Sequence, residues 1–286
     1  MIAPFLAALA MGAQTVVDKF SLSKRKIPLS TFIPFLFLYL FFFSALMTPF
    51  LGRVNWVLLL SPQFLFLFLV LIILAITWNI FYYESLQKEK LYEFETILML
   101  VPLVTVVLSW VFFPETWDIR IGVAAIIAAA ALVWSHWDKH HFSLNHYSLN
   151  LLVAVVLMAT EDIIAAELLR DGVISPVSLY CVRTLILFGF FYAYYRPQAK
   201  TVDRGFLNAI SLSGLLGAIF MVLRYYGYKE VGIPFTALVT IAAPMGVYAA
   251  SAMVLHERMR LKVIIAAAII SVAIIYATSI LQFAGK

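Results

Sequence analysis

Apolar runs of about twenty residues recur from one end of the chain to the other, each long enough to cross a hydrocarbon layer roughly 30 Å thick. They lie at 2–20, 32–51, 64–83, 93–113, 119–137, 149–169, 176–195, 206–226, 233–255 and 261–282. Soluble domains carry about a quarter charged residues. Here 12% of 286 residues are charged and 64% are hydrophobic, too little charge to build a water-facing surface. The solvent for most of this chain is lipid, and the expected fold class is an all-α membrane protein of ten transmembrane helices.

The connections are short and carry the breakers: Lys24-Arg25-Lys26 with Pro28, Ser61-Pro62, Pro114-Glu115, Asp171-Gly172 with Pro176, Pro197, and His256-Glu257-Arg258. The most polar stretch, 137–150, falls near the midpoint and divides the segments five and five. It marks the boundary between a first repeat, 1–140, and a second, 141–286. An odd number of crossings per half makes the second half enter the membrane from the opposite side, which is the geometry of two inverted five-helix repeats. A shared layout supports this: Pro102 and Pro244, Ser109 and Ser251, Glu115 and Glu257, Arg120 and Lys262, and Tyr83 and Tyr225 all stand at one common offset.

Composition also excludes functions. The net charge of +5 is carried by bases set singly or in twos and threes between apolar runs, so it reads as juxtamembrane charge and not as a nucleic-acid surface. The lone Cys181 rules out an internal disulfide and a cysteine metal cage. His136, His140, His141 and His146 match no tight zinc spacing, so no metal is expected. There is no G-x-S-x-G, no His-Glu-x-x-His and no P-loop, so neither an enzyme nor a cofactor is expected. The first segment lacks a basic leader and a small-residue cleavage site and reads as a retained helix.

Pro102 to Glu115 and Pro244 to Glu257-Arg258 are followed by the Ala/Ile-rich runs at 124–131 and 266–268. In this layout the chain resembles the drug/metabolite transporter superfamily in its ten-helix EamA-type form, over essentially its whole length. Arg183 resembles an arginine common early in that family's seventh helix, and Lys19 a lysine common late in the first. The family often has glycine before the turn glutamate, where this chain has Pro114 and His256. The resemblance implies alternating-access transport of a small-molecule substrate, in a family that spans amino acids, amines, nucleotide sugars and drugs. Substrate does not follow from fold.

Ionisable groups inside hydrocarbon cost at least about 2.5–3.5 kcal/mol each on insertion scales, and those that persist face a cavity or a partner. Glu161 and Asp162 lie mid-segment, roughly 100° apart on a helix, so that one of them is expected to aim at the bundle axis. Aligning Met11 with Met158 sets Gln14 opposite Glu161 and Thr15 opposite Asp162. By rough helix position Glu161 also resembles the proton-exchanging first-helix glutamate of the four-helix multidrug relatives. Two readings stay open: a proton or cation site at Glu161 or Asp162, or a structural ion pair with Arg183 or Arg224. Either arginine could instead clamp a substrate carboxylate. Trp78, Asn79 and Trp110 are candidate substrate contacts, because aromatic rings near a carboxylate attract an ammonium group. Pro102 and Pro244 are candidate hinges. Asp18 and Lys19, near a helix end, are expected to snorkel.

Acidic and aromatic groups favour a cationic substrate, the arginines an anionic one, and the two together a zwitterion. The expected function is a secondary transporter of an amino acid or amine, with proton coupling through Glu161/Asp162. An intramembrane enzyme and a non-transporting scaffold are the alternatives. Bases such as Lys24, Arg25, Lys26, Lys88, Lys90, Arg196 and Arg204 concentrate after odd-numbered segments. The positive-inside rule then puts both termini outside, whereas the family resemblance implies cytoplasmic termini, so sidedness stays open. A prokaryotic cytoplasmic membrane and a monomer or homodimer are expected.

Overall fold

The computed structural model describes residues 2–24, 27–89, 94, 97–98, 100–113, 118–136, 145–197, 203–243 and 261–284. Among them, ten helices are longer than one turn: α1 (Ala3–Lys19), α2 (Leu29–Leu51), α3 (Pro62–Lys88), α4 (Leu100–Phe112), α5 (Ile119–His136), α6 (His146–Arg170), α7 (Pro176–Tyr195), α8 (Arg204–Val231), α9 (Ile233–Thr240) and α10 (Leu261–Ala284). A π-helical turn, Phe20–Lys24, prolongs α1. The described residues contain no strand, only an isolated antiparallel bridge between Val54 and Ile174. Six helices are long and apolar enough to span a membrane: Ala3–Leu22, α2, α3, α6, α7 and α8; Leu100–Phe112, Ile119–Ser135 and Ile264–Ile280 are shorter apolar helices. The segment expected at 233–255 is described only to 243. The expected boundary at 140/141 lies outside the described residues, as do Pro244, Ser251, Glu115, Glu257 and the side chain of Lys19.

The breakers work as helix starts. Ser61 and Ser175 each cap a helix whose first residue is proline: Ser61 Oγ accepts from the Phe64 amide at 3.3 Å and Ser175 Oγ from Ser178 at 3.3 Å. Proline at that position loses no intrahelical hydrogen bond, because the first amides have no partner in the helix. Asn145 and Asp203 cap α6 and α8 in the same way, at 2.9 and 2.7 Å. Gly232, at φ +85°, makes the bend between α8 and α9, a conformation that side chains with a Cβ resist. At the head of α5, Arg120 forks onto Asp118 through Nε at 3.1 Å and Nη2 at 2.7 Å, and this hydrogen bonding holds the Asp118 carboxyl below its ordinary range.

Helix packing follows one scheme. α1 packs on α8 as α6 packs on α3, while α2 packs on α7, α4 on α9 and α5 on α10. The partners run antiparallel. The Ser85 hydroxyl near the end of α3 donates to the Tyr147 carbonyl at the start of α6, 2.9 Å away. Beyond the end of α2, the Ser175 amide before α7 donates to the Arg53 carbonyl at 2.8 Å. Large apolar side chains such as Phe50, Trp56, Phe66 and Val111 remain on the outside, as expected where the solvent is hydrocarbon.

Close approach between helices is set by small residues on α8. A Cβ on Gly214 would meet Tyr39 Cβ at 2.5 Å and the Tyr39 and Leu40 backbone at 3.1 and 3.3 Å, so α2 must withdraw to admit one. Gly189 on α7 has nothing within 4 Å of the same atom. Gly214→Ala is therefore expected to lose about 1–3 kcal/mol through overpacking, while Gly189→Ala is neutral or gains up to about 1 kcal/mol from helix propensity. Unfolding of the two variants in the same detergent compares them directly; equal stabilities would contradict this contact.

Candidate functional site

Helix α6 crosses the centre of the bundle, contacted by α3, α4 and α8. Successive residues on it point about 100° apart, and Glu161 and Asp162 use that divergence to reach different neighbours. Glu161 turns toward α3 and α7: its Oε1 accepts from Arg183 Nε at 2.6 Å, and its Oε2 accepts from Trp78 Nε1. Asp162 turns toward α4 and α8: its Oδ2 accepts from Arg224 Nη2 and, at 3.3 Å, from Thr105 Oγ1. All four charged side chains are buried. The ion-pair reading of the sequence is the geometry observed, one pair per carboxylate.

Rings hold each guanidinium in place. Arg183 lies 6.0 Å from the centroid of Trp78 and 5.7 Å from that of Tyr180; Arg224 lies 5.6 Å from both Phe220 and Tyr228. Contacts of this kind add about 0.5–2 kcal/mol each, most where water is excluded. Three of the rings stand at helical spacing from their arginine, Tyr180 three residues before Arg183, and Phe220 and Tyr228 four residues either side of Arg224. That spacing was the available signal for Tyr180 and Phe220, which sequence reasoning missed.

The pairs border a cavity of about 100 Å³, room for several water molecules at roughly 10–15 Å³ each. Gln14, Trp78, Asn79, Glu161, Asp162, Arg183, Arg224 and Pro102, all singled out in the sequence, line it. Both carboxylates do so, where one was expected, because α6 is surrounded and each can face a different wall. Trp110 is corrected: it is 57% exposed on the outer face of α4 and takes no part in the lining. Asn79 Nδ2 is committed to the Ala75 carbonyl at 2.7 Å. Two walls match in spacing, Phe37 and Leu40 on α2 against Tyr180 and Arg183 on α7.

The four charged residues of the lining sum to zero. Yet donors are left over: Arg183 Nη2, Arg224 Nε and the Tyr225 hydroxyl are buried without a hydrogen bond among the described residues. Unused buried donors are costly, and a ligand bringing acceptor oxygens relieves them. Among the described residues no group of three or more His, Cys, Asp or Glu side chains could hold a metal.

Removing one member of a buried pair strands the other, at about 3–5 kcal/mol. Glu161→Gln and Arg183→Leu are each expected to destabilise the protein, and the double variant to lose less than the sum of the two by more than about 1 kcal/mol. Chemical unfolding of the four proteins gives the coupling directly; additive losses would mean that the pair is not a unit.

Comparison with known proteins agrees with this architecture. Residues 1–136 match the EamA-like transporter family. A solved protein crystal structure superposes with a TM-score of 0.74 at 17% identity, covering 98% of this chain and 98% of that one; this likeness speaks for the fold alone. No curated protein matches the chain.

Proposed function

We propose that this multi-pass membrane protein, whose first 136 residues match the EamA-like transporter family, is a secondary transporter of a small zwitterion, an amino acid in the first instance. The single observation that carries the reading is the pair of salt bridges with spare donors around a charge-neutral cavity inside the bundle. A cation or an anion entering alone would leave net charge in a low-dielectric space, which costs several kcal/mol. A zwitterion enters with no net charge and exchanges partners. Its carboxylate takes Arg183, whose fork has a free Nη2 for bidentate contact. Its ammonium takes the Glu161 carboxylate that Arg183 releases, beside the face of Trp78.

Proton coupling at Glu161 or Asp162 follows from the same exchange. A substrate anion that occupies the arginine deprives the carboxylate of its counter-charge, and a proton is the natural replacement. The cavity is smaller than the roughly 300–1,000 Å³ of drug-sized sites, which favours a small metabolite over nucleotide sugars and bulky drugs.

The packing scheme supports ten crossings in two inverted halves, 1–140 and 141–286. Exchanging α1 with α6, α2 with α7, α3 with α8, α4 with α9 and α5 with α10 returns the α1–α8 and α3–α6, α2–α7, α4–α9 and α5–α10 contacts, while α2–α8 is more extensive than its counterpart α3–α7. In such folds rocking of one half against the other around a central site gives alternating access. Transport of this kind needs no chemical step, so the protein is read as a non-enzyme. A small polar solute and the lipid bilayer are its partners, and the bilayer proposed is a prokaryotic cytoplasmic membrane.

The test is thermal stabilisation of the purified protein by neutral amino acids, polyamines, quaternary amines and nucleotide sugars at two pH values. Neutral amino acids are expected to stabilise by about 2.7 kcal/mol at a hundredfold excess over Kd, and Arg183→Leu and the Glu161→Gln, Asp162→Asn double variant to abolish the effect. Stabilisation by amines without carboxylates would contradict the role of Arg183. No stabilisation by any class would favour a scaffold.

A further inference from the structure

Asp18 is a carboxylate buried between helices that the two central ion pairs leave aside. It lies in the last turn of α1 and was expected to snorkel, but it is 1% exposed. The π-helical turn carries the helix on past it to Lys24, so the aqueous end lies further along than the sequence suggests. Its carboxylate accepts a hydrogen bond from Ser213 Oγ on α8. One turn earlier on α1, Gln14 lies beside the same carboxylate and lines the cavity. The amide of Gln14 rests against α8 where a Cβ on Gly217 would fall 2.7 Å from Nε2. Asp18 thus sits one turn from the cavity, in the tightest part of the α1–α8 contact.

No cation neutralises it among the described residues. α8 offers Ser213 there; its nearest arginine toward the cavity, Arg224, is eleven residues away, about 16 Å along the axis at 1.5 Å per residue, and is bound to Asp162. From α3 the titratable group within electrostatic reach is the phenol of Tyr83. α9, the remaining helix on α1, contains no titratable residue. On its own segment Lys19 and Lys24 follow, with side chains outside the described residues. Glu161 and Asp162, by contrast, each hold a guanidinium. A bare carboxylate closed between two helices is strongly disfavoured, whereas the neutral acid is tolerated.

We propose that Asp18 is a proton-binding site, separate from the substrate pairs, whose protonated form holds α1 against α8 and whose ionised form releases that contact to water. Closing the contact takes up a proton and opening it gives one back. Opening therefore grows with pH, by up to about tenfold per pH unit while the closed form still holds the proton. The transporter reading supplies the use of this movement, as the gate on the side where α1 ends. The proton site itself stands or falls without any substrate.

The test is hydrogen exchange of the substrate-free full-length protein in detergent, read at backbone amides of residues 14–19 and 210–217 and corrected for the intrinsic pH dependence. Between about pH 5 and pH 8, wild-type opening is expected to rise at least tenfold, whereas Asp18→Asn stays closed and flat. Ser213→Ala removes a donor that favours the ionised acid over the neutral one, so the rise extends to higher pH. Asp171→Asn, at an exposed carboxylate with no part in the site, keeps the wild-type profile. Infrared difference spectra should show a protonated carboxyl band that Asp18→Asn removes and Asp171→Asn retains. A wild-type profile in Asp18→Asn, or a carboxyl band that survives in it, overturns the proposal. So does closure by sodium at fixed high pH, which would make the site one for a metal cation.

Discussion

A charged side chain in the middle of a membrane bundle is cut off from bulk water, so a buried ion is strongly favoured to meet its opposite within the protein. That requirement organises the centre of this fold. α6 carries two adjacent carboxylates, and their divergence means that no single neighbour serves both. α7 brings Arg183 from one side and α8 brings Arg224 from another, each held between aromatic rings. A pair so placed is weak evidence for stability, since the cost of desolvation rivals the attraction. Its retention inside a cavity points to use. Spare donors on both arginines keep them capable of accepting a second partner.

Helices α1–α5 and α6–α10 share several corresponding contacts and are furnished differently. In the first, the positions facing the cavity carry Gln14 and Thr15 on α1 and Phe37 and Leu40 on α2. In the second, Glu161 and Asp162 on α6 and Tyr180 and Arg183 on α7 face it. The charges of the described lining all stand on α6, α7 and α8, so a ligand of the dipolar kind proposed would enter in one orientation. This placement also leaves the neutral half free to close tightly, as the small residues of α8 do against α1 and α2 around Gly214 and Gly217. The carboxylate in that tight contact, Asp18, is the exception, and it has a hydroxyl partner in place of a cation.

Much of this was legible in the sequence. Long apolar runs gave the helical, membrane-spanning class, and Ser-Pro pairs at 61–62 and 175–176 marked helix starts because serine caps and proline tolerates the first turn. Four ionisable residues stranded in hydrocarbon pointed to the part of the bundle that holds the buried pairs and the cavity. The pairing was not legible: which arginine takes which carboxylate depends on how far α7 and α8 stand from α6, and that is set by side chains along the whole contact. Trp110 misled although α4 carries a short polar stripe: Thr105 and Ser109, four residues apart, mark its buried face, and Trp110 stands about 100° round from Ser109. Asp18 misled because the apolar run stops at Phe20 while the helical backbone continues to Lys24.

The central claim, that this cavity is a carrier's site exposed alternately to either side, is tested most directly by chemical access. Val101 lines the cavity and is buried; replaced by cysteine in a Cys181→Ser background, it supplies one reporter thiol. In membranes of uniform orientation, a membrane-impermeant thiol reagent is predicted to label it from either side, each time at a rate limited by opening. Labelling from one side alone, or from neither, would contradict the account.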